Sequence, residues 1–209
     1  MLNRRRFSSS LVLPLVAAGA AAPLFAQGAV ATVGQAAPDF AALDTAGKNY
    51  KLSDFKDKLV VLEWTNPGCP FVRKHYSGNM QDLQKEFTGK GVIWLAVNST
   101  ETDSGDYLAP AKLAGWMGEK QATPTATLMD ESGKIGQLYG AKTTPHMYII
   151  NRQGQLVYAG AIDSIASARV DDIKTAINYV RQGLAEALGG KPVSLASSRA
   201  YGCTVKYKA

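Results

Sequence analysis

The sequence predicts an α/β fold: a central mixed sheet flanked by helices, with a β-hairpin added on its N-terminal side. Three observations predict it. Val60-Val61-Leu62-Glu63-Trp64 and Val92-Ile93-Trp94-Leu95-Ala96-Val97 are runs of strand length, apolar almost throughout rather than alternating, as in strands covered on both faces. Between them Phe71, Val72, Tyr76, Met80, Leu83 and Phe87 recur mostly at three- and four-residue steps, so the three segments read as one βαβ unit. Downstream, the runs around Met147 to Ile150 and Gln155 to Gly160 flank Asn151-Arg152-Gln153-Gly154, an antiparallel pair that makes the sheet mixed.

The chain has 209 residues, 46% hydrophobic and 19% charged, which suits one domain of ordinary size and excludes disorder over its whole length. Its net charge of +6 includes Arg4, Arg5 and Arg6, which lie in a leader without acids; without them +3 remains. No basic stripe with interleaved aromatics is left, so nucleic acid is not an expected partner. Residues 1–26 read as a signal peptide: Asn3-Arg4-Arg5-Arg6-Phe7, an apolar run from Leu11 to Ala22, then small residues. Arg4-Arg5 followed by Phe7 resembles the twin-arginine type, implying a bacterial protein exported to the periplasm. Cleavage is placed after Ala26, with Ala31 as the alternative. Pro14 and Pro23 leave the apolar run short of a span of about 20 residues, so membrane contact is expected only through an uncleaved leader.

After the leader, two short extended segments, Ala37 to Asp44 and Asn49 to Leu52, enclose Thr45-Ala46-Gly47-Lys48 and form the added hairpin. Ser53-Asp54-Phe55 is a capped turn. The helix following the first buried strand is expected to run from Pro70 to Phe87 and to end at Gly89 and Gly91. A polar loop from Asn98 to Tyr107 leads to a helix from Pro110 to Lys120. A strand from Thr125 to Met129, a turn and a short helix from Ile135 to Tyr139 follow. The next strand, Thr143 to Ile150, carries Pro145 near its start. Val170, Ile173, Ile177, Val180, Leu184 and Leu188 mark one face of a last helix, stopped by Gly189-Gly190 and Pro192. Residues 33–188 thus form the domain, and 189–209 a polar tail carrying Tyr201-Gly202-Cys203, in which Gly202 can supply an unusual backbone angle and Tyr201 and Val205 can pack against the domain and hold the tail down.

Cys69 falls where a strand stops and a helix begins. Unpaired N–H groups there favour an anion, so its thiol is expected to ionise below the ordinary value and act as a nucleophile. An oxidising compartment permits a bond to Cys203, the one other cysteine. Two histidines, His75 and His146, make no metal-ligand cluster, and neither metal nor cofactor is expected. His75 lies about 240° round the helix from Cys69 and is expected to face elsewhere, and both it and His146 are expected to pack or sit at the surface. Glu63, inside an apolar strand, is costly to bury without a role; burial would raise its pKa toward that of a proton acceptor.

Val60 to Val72 resembles the active-site segment of thioredoxin-fold proteins: an apolar strand, an acid, then Cys-x-x-Cys opening a helix. Cys69 takes the first cysteine, Pro70-Phe71 the intervening pair, and Val72 stands in place of the second cysteine. Glu63 stands six residues earlier, where thioredoxins carry a buried proton acceptor. Ala37 to Leu62 resembles the opening of the AhpC/TSA and redoxin branch, and the likeness extends over roughly Val33 to Leu188. It implies a thioredoxin-like fold and a cis-proline facing the reactive cysteine, for which Thr144-Pro145 is the matching dipeptide and Thr123-Pro124 the competitor. Peroxiredoxins of this branch place their cysteine in P-x-x-x-T-x-x-C, whereas Leu62 and Asn66 occupy the proline and threonine places here.

The resemblance implies a periplasmic thiol oxidoreductase, reducing peroxides or exchanging disulfides, with a thiol or peroxide substrate and an external reductant. Cys69 would attack, Cys203 resolve, Glu63 accept a proton, and Thr144 and Pro145 position the substrate. A different class stays open: a non-catalytic binding module whose Cys69 and Cys203 form a permanent structural disulfide.

Overall fold

The computed structural model describes residues 30–208; the leader expected at 1–26 lies outside the described residues. In chain order the elements are β1 (Ala41–Leu43), β2 (Asn49–Lys51), β3 (Val60–Trp64), α1 (Pro70–His75), α2 (Asn79–Thr88), β4 (Ile93–Asn98) and α3 (Pro110–Glu119). There follow β5 (Ala126–Met129), α4 (Lys134–Tyr139), β6 (Thr143–Thr144), β7 (His146–Ile150), β8 (Leu156–Gly160), α5 (Tyr179–Leu188) and β9 (Cys203–Thr204). The central sheet has the order β5-β4-β3-β7-β8. β3 is parallel to β4 and β4 to β5, while β7 is antiparallel to both β3 and β8, which gives the expected mixed sheet. β1 and β2 form the added hairpin.

Both faces of the sheet are covered, which is why β3 is apolar at nearly every position. Val61 faces a core built with Trp94, Ala96, Met147 and Ile149 under α1, α2, α3 and α5; Cys69 belongs to this core. Val60, Leu62 and Trp64 face the other way, toward Phe40 and Ala42 of the hairpin side and Ile135 and Tyr139 of α4. A fully buried Leu, Phe or Met in these layers contributes roughly 1.5–3 kcal/mol by removal from water. Among the described residues no helix is long and apolar enough to cross a membrane.

Three elements differ from their sequence expectation. The helix expected from Pro70 to Phe87 is two helices, because Gly78 takes φ 138°, a backbone conformation that no helix accommodates. The Gln81 side chain accepts the Gly78 N–H at 3.1 Å and starts α2 anew. The apolar spacing survives the break because Val72, Tyr76, Met80, Leu83 and Phe87 are buried in one core. The last helix begins only at Tyr179, where the Asn178 side chain accepts the Arg181 N–H at 2.9 Å. Before it, Val170–Lys174 is a 3-10 turn, and Val170 and Ile177 are 51% and 59% exposed, so their spacing reflects no buried face. The strand expected from Thr143 to Ile150 divides into β6 and β7 at the Thr144-Pro145 bond, the one cis peptide among the described residues.

The tail folds back onto the domain. β9 pairs antiparallel with β6, Thr144 opposite Cys203 and Thr143 opposite Thr204. Val205 is buried, and the Tyr207 hydroxyl donates to the Ala141 carbonyl at 2.7 Å.

Candidate active site

The turn from β3 into α1 is built by Asn66. Its carbonyl accepts the Cys69 N–H at 3.0 Å, its side-chain oxygen accepts the Gly68 N–H at 2.7 Å, and its amide donates to the Thr100 hydroxyl at 3.0 Å. A side chain at Gly68 would place its Cβ 2.9 Å from Asp106 Oδ1, so the Asp106 side chain packs closely over the turn. Cys69 follows as the residue flanking α1, with extended dihedrals and only 2% exposure. Its Sγ lies 3.0 Å from the Thr144 carbonyl, on the residue before the cis-proline.

The pairing of β6 with β9 delivers the second thiol to the same place: Cys203 stands opposite Thr144, whose carbonyl lies against Cys69 Sγ. Neither cysteine is bonded in a disulfide; Cys69 is buried and Cys203 half-buried. Burial pushes the Cys69 thiol up, but donors outweigh it: the Cys203 thiol, the N–H groups of Val72 and Cys203, and the Thr144 hydroxyl hold it below its ordinary value. That hydroxyl is buried without another partner and is free to rotate toward the sulfur. The helix behind Cys69 is only six residues long, so these local donors, rather than a long helix dipole, carry the effect. Burial, with the hydrogen bond and negative charge of Cys69 added, pushes the Cys203 thiol up to about 12. One sulfur is poised to ionise and the other to keep its proton.

Glu63 is fully buried, and its carboxylate accepts from the Tyr76 hydroxyl and Trp94 Nε1, each at 2.7 Å, and from Gln84 Nε2 at 3.1 Å. Burial raises its pKa, and those hydrogen bonds offset only part of the rise. None of its hydrogen bonds reaches either cysteine. The structure therefore brings Cys69, Cys203, Thr144 and Pro145 together and leaves Glu63 without a hydrogen bond to either sulfur.

His75 faces away from the sulfurs and takes the packing role. It is fully buried, its Nε2 3.1 Å from the Tyr201 hydroxyl and its Nδ1 2.8 Å from the Asn79 amide, and burial lowers its pKa to about 4. His146 packs on Tyr148, with ring centroids 4.5 Å apart, and its Nδ1 lies 3.1 Å from the Tyr148 hydroxyl. Sequence reasoning missed a buried cluster of Lys74, Asp163 and Tyr201, joined through Lys74 Nζ 3.4 Å from Asp163 Oδ2. These three lie far apart in the chain and form no local pattern; the one signal was a lysine following apolar residues in a helix start.

The chain matches the family described as AhpC/TSA over residues 33–159. The thiol-disulfide oxidoreductase ResA of Bacillus thuringiensis (strain Al Hakam) is 28% identical over 161 residues, covering 75% of this chain and 88% of that relative. Among solved structures, an uncharacterized conserved protein from Geobacillus kaustophilus is similar at a TM-score of 0.73 and 27% identity, covering 85% of this chain and 93% of that one. A putative thiol:disulfide interchange protein DsbE from Chlorobium tepidum has a TM-score of 0.51 and 27% identity, covering 62% and 84%. The tail with Cys203 lies beyond the stretch matched by the family.

Proposed function

From the premise that this chain belongs to the AhpC/TSA family, we propose that it is an exported thiol-disulfide oxidoreductase working through Cys69 and Cys203. The observation that carries the reading is the β6–β9 pairing, which sets Cys203 opposite Thr144, whose carbonyl lies 3.0 Å from Cys69 Sγ. Similarity to ResA and to the DsbE-like structure supports exchange as the chemistry. The leader supports export, and Leu62 and Asn66 in the proline and threonine places of the peroxide motif favour a disulfide over a peroxide as substrate.

In the reducing direction the Cys69 thiolate attacks one sulfur of a substrate disulfide. That S–S bond breaks, one substrate thiolate leaves and takes up a proton, and Cys69 is held in a mixed disulfide. The charge that opposed ionisation of Cys203 is then gone. Cys203 loses its proton, attacks the Cys69 sulfur and expels the second substrate thiolate, so two electrons pass from the cysteine pair to the substrate. Reversal of these steps oxidises a dithiol. Thr144 and Pro145 position the incoming sulfur, the Thr144 carbonyl and hydroxyl both facing Cys69. Glu63 is assigned the part of a buried proton acceptor, though none of its hydrogen bonds reaches either sulfur.

Mixing the reduced protein with oxidised glutathione in a stopped-flow instrument tests this. Wild type is expected to release two equivalents of glutathione per chain, and Cys203→Ser one, remaining glutathionylated at Cys69. Release of none would refute the reading, and a much faster reaction with hydrogen peroxide would replace disulfide exchange by peroxide reduction.

A further inference from the structure

β9 is two residues long, a length that specifies register weakly, and a slip of one residue would turn the Cys203 side chain away from Cys69. Another contact has to fix it. Tyr201 stands two residues earlier, joined to β9 by the single residue Gly202, whose φ of 134° bends the chain there. Both Tyr201 and Cys203 pack against the core that holds Cys69.

The Tyr201 hydroxyl enters a buried polar cluster. It donates to Asp163 Oδ1, lies 3.1 Å from His75 Nε2, and is reached by Lys74 Nζ at 3.5 Å. Lys74 Nζ also lies 3.4 Å from Asp163 Oδ2 and donates to the Ile165 carbonyl at 3.1 Å. The side chains of Lys74 and Asp163 are 0% and 2% exposed. The Tyr201 ring meets Phe71 edge-on with centroids 5.8 Å apart. Phe71, Lys74 and His75 all belong to α1, the helix that Cys69 begins, so the anchor of the tail and the first thiol share one short rigid body.

Apolar residues of similar size would hold a tail down without taking two charges out of water, so stability alone does not account for the buried Lys74–Asp163 pair. Holding one position does. We propose that Tyr201, fixed by Asp163 and Lys74, is the positioning residue for Cys203: its hydroxyl sets the register of β9 and thereby the rate at which the second thiol closes on Cys69. The inference rests on the exchange reading above. In the closing step Cys203 gives up its proton and its sulfur attacks Cys69 Sγ. The bond from Cys69 to the substrate sulfur breaks, and the departing thiolate takes up a proton, with no further reactant needed.

Tyr201→Phe keeps the ring on Phe71 and removes only the hydroxyl. The reduced wild type and variant are mixed with oxidised glutathione, and release of the first and second glutathione is timed separately. The first release, attack by Cys69, is expected to be unchanged. The second is expected to slow about tenfold or more, in line with the loss of a hydrogen bond to a charged group. Equal second-step rates in the two proteins would overturn the positioning role while leaving exchange intact. Slowing of both steps by one factor would mark a general loss of structure and would also overturn it. Absence of a second release from wild type would overturn the exchange reading and this inference with it.

Discussion

Gly202→Ala is expected to unseat Cys203 from Cys69 while leaving the central sheet intact. Gly202 has φ 134°, where a residue with a side chain is strained, and a Cβ built there would lie 2.0 Å from the Thr144 carbonyl oxygen and 2.7 Å from its carbon. Both obstacles are backbone, and the same carbonyl faces Cys69 Sγ at 3.0 Å. Neither β6 nor the thiol can yield without disturbing the other, so the tail must lift. Strain at such a backbone position costs on the order of 1–3 kcal/mol before the clash is counted. The equilibrium constant for closing the Cys69–Cys203 bond against glutathione should therefore fall about 100-fold. No central-sheet strand pairs with β9, so the far-ultraviolet circular dichroism should be unchanged. An unaltered closing constant in the variant would show that the β6–β9 pairing does not deliver Cys203.

Glu63→Gln is expected to change how stability depends on pH. Burial lifts the Glu63 pKa above its ordinary 4.5, so the folded protein holds this proton more tightly than the unfolded chain. Below the ordinary value the carboxyl is protonated in both states, and the stabilising effect of its raised affinity is fully present. As pH rises through the ordinary value toward the raised one, that contribution is lost at about 1.4 kcal/mol per pH unit. Glutamine carries no charge and no such slope. Rearranging hydrogen bonds to Tyr76, Trp94 and Gln84 costs the variant a fixed offset of about 1 kcal/mol, which moves its curve without tilting it. Urea unfolding of both proteins across the acidic to neutral range should show the variant gaining on wild type as pH rises. Parallel curves would mean that Glu63 ionises as easily inside the fold as outside, and its part as a proton acceptor of raised affinity would fall.

What was legible in the sequence is what local chemistry dictates. The apolar run into Asn66-Pro67-Gly68-Cys69 specifies strand, turn and helix start through neighbours alone, and the succession of strands and helices along the chain follows from their apolar patterns. The helix break at Gly78 was hidden because the three- and four-residue apolar rhythm runs across it: two helices that pack on one sheet face share one periodicity. The opposite error occurred at Val170 and Ile177, whose spacing imitates a buried face that the fold leaves in solvent. Gly202 and Tyr201 were visible as residues able to seat the tail. What Tyr201 seats against was not, since Lys74, Asp163 and Tyr201 meet only after the sheet has brought distant segments together. Glu63 was legible as a buried acid with a raised pKa, but its three hydrogen-bond donors come from three other segments.

That Cys69 and Cys203 act as one redox pair is tested most directly by peptide mapping of the oxidised, monomeric protein without reduction. The predicted result is a single linked fragment pair carrying Cys69 and Cys203, released by a dithiol reductant. Two free thiols after oxidation, or Cys203 found only in links between molecules, would contradict it.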